Sequence, residues 1–117
     1  MVFCAASHYE KKYYLDPDFL SLPEEIRNEL QSTCVLFTEE VGGIILMEFD
    51  EKGRLLISTQ ARDDDGFYDE IGAGLKIKQL RSEKAELFRS LEIYYRIFFL
   101  GEGFSEEEDV EEVAEDD

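Results

Sequence analysis

Residues 61–72, ARDDDGFYDEIG, gather the densest set of side chains able to do chemistry. Three successive aspartates and a glycine suggest first a calcium loop. An EF-hand needs acids at positions 1, 3 and 5, glycine at 6 and a bidentate glutamate at 12. With Gly66 at position 6, Asp63 and Asp65 fall at 3 and 5, but Ala61 and Gly72 take positions 1 and 12. Two obligatory ligands are missing, which excludes the EF-hand. An irregular divalent-cation site built from Asp63, Asp64, Asp65 and Asp69 remains as a candidate. Asp69 and Glu70 are neighbours in sequence and do not face each other on a helix, so they form no acid/base pair by themselves.

Other chemistry finds less support. GAGLK (72–76) has neither Walker spacing nor a dinucleotide fingerprint, and five acids precede it. His8 is the single histidine. A zinc site would have to join it to Cys4, Cys34 and a carboxylate, with no Cys-x-x-Cys to help. Nucleophilic catalysis would rest on the same histidine near a terminus expected to be mobile. No catalytic residue and no cofactor is assigned. The bases Lys76, Lys78, Arg81, Lys84, Arg89 and Arg96 alternate with Glu83, Glu86 and Glu92, as on a solvated helix face.

Net charge is −17 over 117 residues. Ten of the 29 acidic residues lie in 102–117 and no base does, leaving 19 acids against 12 bases, or −7, for residues 1–101. That balance argues against nucleic acid and anionic membrane as partners. Dense like charge with little to bury reads as a solvated tail or a lure for a basic partner. The start, MVFCAAS, has no basic segment ahead of a long apolar one, and no apolar run approaches the ~20 residues of a membrane span. With only two cysteines, the expected setting is cytoplasmic.

The elements that must position these residues follow from periodicity. Tyr9, Lys11, Tyr13 and Leu15 share a face of a short strand at 10–15, which DPD ends. Ser21 and Glu24 form a capping box for a helix in which Ile26, Leu30, Cys34, Phe37 and Val41 make an apolar stripe, stopped by Gly42. Residues 44–49 and 55–61 are a hairpin around DEKG. Its first strand is apolar on both faces, which predicts a central strand covered on both sides. A hairpin alone is marginal, so the N-terminal strand or a second copy of the chain must extend it. Asp63, Asp64 and Asp65 then read as turn and N-cap residues, with Asp69 and Glu70 in the first helical turn. Ile77, Leu80, Leu87, Phe88, Leu91, Tyr94, Tyr95 and Phe98 fall within about 120° of arc. Ile71 and Leu75 fall opposite. The helix either kinks near 79–82, or its first turns pack against something else.

The segments YEKKYYL, LPEEI, CVLFTEEVGGII, YDEIG, LKIKQL and IFFLGE together resemble a family of small acidic bacterial proteins classed as a domain of unknown function, over residues 8–103. The resemblance implies a cytoplasmic bacterial protein and assigns no activity, cofactor or catalytic residue. The reading is therefore α+β: an N-terminal segment at 1–8, one domain at 9–101 and an acidic tail at 102–117. Within the domain a capped helix leads to a β-hairpin, with an added N-terminal strand as one form of the sheet, and then to a long or kinked helix packed on the sheet. The expected function is a non-enzymatic protein-interaction module, with a protein partner and a homodimer as one form. The alternatives are a small-ligand or divalent-metal protein using loop 63–70, and an acidic nucleic-acid mimic.

Overall fold

In the computed structural model, which describes residues 1–102, the chain opens with a strand, β1 (Val2–Ser7). A turn through Lys11, at φ 56°, leads into β2 (Lys12–Leu15). A single 3-10 turn (Pro17–Phe19) follows, fixed by the Asp16 carboxylate accepting from the Asp18 N–H. Then come α1 (Glu24–Val41), β3 (Ile44–Phe49), β4 (Leu55–Gln60), α2 (Glu70–Glu83) and α3 (Ala85–Phe98). The sheet is antiparallel, in the order β2-β1-β3-β4. The fold is α+β, as the periodicity predicts. The acidic tail from residue 103 onward lies outside the described residues.

The hairpin forms where alternation and DEKG place it. Asp50 accepts from the backbone N–H groups of Arg54 and Lys52 and from the Arg54 guanidinium, while Gly53 supplies φ 85°. Those donors, the Arg54 N–H first among them, hold the Asp50 carboxyl below the ordinary aspartate range. The strand that extends the hairpin is a correction to the sequence reading. Residues 2–7, expected to be a loose terminal segment, pair with β3 on one side and β2 on the other. His8 continues that pairing through its N–H to the Gly43 carbonyl, at 2.8 Å.

β3 is central, but it is covered on one side only. Ile45, Met47 and Phe49 are buried; Ile44, Leu46 and Glu48 on the other face are half-buried. Under the covered face the core is aromatic. Phe3, Phe19, Phe49, Tyr95 and Phe99 stack on one another with centroids 4.2–6.0 Å apart. Phe99 takes the place expected for Phe98, whose side chain is exposed.

α1 buries Leu30, Cys34 and Phe37 and ends at Gly42, at φ 82°, as its stripe dictates. Its start differs from the expected capping box. Pro23 is the N-cap and no side chain caps the helix. Ser21 instead hydrogen-bonds the Tyr94 hydroxyl, joining the helix entry to α3. The long C-terminal helix breaks at Lys84, two residues beyond the expected interval, with φ −112° and ψ 28°. Lys84 also pairs with Glu29 of α1 at 3.0 Å, which ties the break to the first helix.

Candidate functional site

Two carboxylates hold the acidic turn before α2, Asp65 and Asp69, and they have different tasks. Asp65 accepts the Tyr9 hydroxyl at 2.5 Å and the Phe67 N–H at 3.2 Å. The Tyr9 oxygen in turn accepts the Arg62 N–H at 3.1 Å, and the Arg62 guanidinium lies 4.4 Å from the Tyr9 ring centroid. The hydrogen bond to Asp65, followed by desolvation, raises the pKa of the Tyr9 phenol. Tyr9 thus fastens the turn to the end of β1, a contact that nothing local in the sequence announces.

Asp69 is the N-cap of α2: its carboxylate accepts the Gly72 N–H at 3.0 Å. The helix therefore starts later than the triple aspartate suggested, and Asp69, rather than Asp63 to Asp65, caps it. Asp63 and Asp64 are exposed. The structure brings Asp65 to Tyr9 and Asp69 to the helix end. Among the described residues, no group of three His, Cys, Asp or Glu side chains is arranged to hold a metal ion. Tyr68 lies under the turn beside Gly43, and its buried hydroxyl has no hydrogen-bond partner among the described residues.

α2 itself is the unusual element. Of its 14 residues only Ala73 is buried, with Ile77 and Leu80 partly buried against the core. Ile71 is 79% exposed and Leu75 is 64% exposed, and Phe67 just before the helix is 99% exposed. Ile71 and Leu75 are one turn apart on one helix face, so they form a ridge, and Phe67 belongs to the non-helical turn that precedes it. The sequence showed that Ile71 and Leu75 face away from the core stripe. It did not single out Phe67, which lies in a non-helical turn where helical spacing carries no signal. Lys78 continues the ridge and is exposed, with no ion pair among the described residues.

The other bases on this helix are engaged. Lys76 pairs with Glu40 at 2.8 Å, a contact that raises its pKa, and Arg81 donates to the Leu55 carbonyl at 2.9 Å. The Lys76–Glu40 and Lys84–Glu29 pairs close the two ends of a cleft of about 210 Å³ between α1 and α2, floored by Thr33, Phe37 and Leu80. That is below the usual range of ~300–1,000 Å³ for small-molecule sites.

Two further features matter. Cys4 and Cys34, thirty residues apart, meet in the core with their Sγ atoms 3.4 Å apart. Their mutual hydrogen bond, and then burial, push the Cys34 thiol well above its ordinary value, which disfavours the reactive thiolate. The second feature is the outer face of the sheet. Register places Leu46, Ala5 and Tyr14 in one row across β3, β1 and β2, with Ile44, Val2 and Leu56 around it. An uncovered antiparallel face normally carries polar side chains at these positions.

Among the described residues no helix is long and apolar enough to cross a membrane. Comparison with curated proteins yields no match, and comparison with solved structures yields none either. A family model matches residues 1–103, which is nearly all of the chain outside the acidic tail. With a match of that extent, the chain belongs to DUF6145, a family of unknown function.

Proposed function

We propose that this protein is a non-enzymatic, cytoplasmic protein-interaction module, and that it docks its partner on the outer face of α2 and the acidic turn before it. The observation that carries this reading is the ridge of Ile71 and Leu75 on one face of α2, with Phe67 in the turn before it, all three more than three-fifths exposed. Single exposed apolar side chains are ordinary, whereas adjacent ones beside a polar rim mark association sites. Asp63, Asp64 and Glu70 supply that rim with negative charge. The partner surface that fits is an apolar strip flanked by Lys or Arg. A cation-binding role for 63–70 has less support, because Asp65 and Asp69 already accept hydrogen bonds that hold the turn and the helix.

The test replaces the ridge without touching the core. Ile71→Glu and Leu75→Glu are expected to abolish protein association while leaving the circular-dichroism melt unchanged at dilution. Association that survives both substitutions would remove the site from α2.

A further inference from the structure

Resting on that docking reading, we infer that the occupant of the α2 ridge is a second copy of this chain, with the two α2 helices packed antiparallel about a two-fold axis. A two-fold interface must be self-complementary: whatever lies on one side of the axis has to fit what lies on the other. α2 has that property along its length. Its N-terminal end is acidic, with Asp63, Asp64, Asp69 and Glu70. Its outer stripe continues from Ile71 and Leu75 to Lys78, then Ser82; these four fall within about 60° of arc.

With the axis level with residue 73, Ile71 packs on Leu75 of the second copy, and Leu75 on its Ile71. Lys78 then comes level with residue 68 of the second copy, within the acidic segment that carries Asp63, Asp64, Asp69 and Glu70. Each copy contributes both halves of this arrangement, so every contact is made twice. Antiparallel packing also sets the two helix dipoles in their favourable relative orientation.

Gly74 supports the same geometry. Glycine inside a helix costs about 1 kcal/mol relative to alanine. Nothing among the described residues requires it at 74: its φ is not positive, and a Cβ there would meet none of their atoms within 4 Å. Close approach of a neighbouring helix gives the missing side chain a use. The inference also accounts for the surplus of acid before α2, since Asp63 and Asp64 have no hydrogen-bonded task in their own chain among the described residues.

The measurement is sedimentation equilibrium of the full chain and its variants. The wild type is expected to show a monomer–dimer equilibrium. Ile71→Glu and Leu75→Glu should each raise the dimer Kd by on the order of tenfold or more, since each places a charge in an apolar contact. Asp64→Lys and Lys78→Glu should each weaken the dimer, and the double variant Asp64→Lys/Lys78→Glu should recover most of the loss. A wild type that stays monomeric at millimolar concentration overturns the inference. So does a dimer indifferent to Leu75→Glu, or a double variant no tighter than either single one. A monomeric wild type that binds another protein, and loses that binding in Leu75→Glu, overturns self-pairing but leaves the docking site on α2 standing. If binding to that protein is also indifferent to Leu75→Glu, the docking reading falls with it.

Discussion

α1 and α2 pack side by side, yet they spend their apolar residues differently. α1 places Leu30, Cys34 and Phe37 on one face and buries all three. α2 divides its apolar residues: Ile77 and Leu80 lean on the core, while Ile71 and Leu75 point to solvent. The first helix is consumed by the fold. The second has an inner face that belongs to the fold and an outer face that the fold does not need. An element with two apolar faces and one covering layer is where a small domain has surface left for association.

The contrast is sharpest in paired truncations. Leu30→Ala is expected to cost about 2–5 kcal/mol in urea denaturation, the range for emptying a close-packed site. Leu75→Ala should stay within about 0.5 kcal/mol when measured at dilution, where association contributes nothing. Equal losses would erase the difference between the two helices.

The end of α1 offers the next test. Gly43→Ala must hold alanine at φ 70°, which costs about 1–2 kcal/mol by itself. The added Cβ would also lie 2.6 Å from the Gln60 carbonyl and 2.7 Å from the Tyr68 ring. A midpoint within error of wild type would show that the turn before α2 is not packed on this junction.

The helix starts differ as well. Asp69→Ala should cost about 1 kcal/mol, since it removes the one side-chain cap of α2. The contrast with α1, which has no such cap, fails if thermal melts show no change. The smallest effect is a gain. Gly74→Ala, in a Leu75→Glu background that prevents association, should stabilise the chain by up to about 1 kcal/mol. In the wild-type background the same change is expected to weaken the dimer. A loss of stability in the first background would mean that Gly74 packs within its own chain.

Much of this architecture is local enough to read. The hairpin follows from two β-rich runs around DEKG, and the length of α1 from its stripe and Gly42, because period and turn chemistry act over a few residues. The candidate site was half legible: the arc of Ile71 and Leu75 away from the core stripe was visible, and the order of tasks among the aspartates was not. Which aspartate caps α2 depends on where Tyr9 pulls the turn, 56 residues away in sequence. The capping box at Ser21 shows the converse, a sound local signal overridden when the hydroxyl finds Tyr94.

The sequence by itself determined the hairpin, the buried stripe of α1 and the two-sidedness of α2, since periodicity states which residues share a face. Only the tertiary structure decided which faces are covered. It set Val2–Ser7 inside the sheet, brought Cys4 to Cys34, stacked helices on one side of β3 and left Ile71 and Leu75 in solvent. Those outcomes depend on pairings between distant segments, whose closure entropy and packing no local pattern encodes.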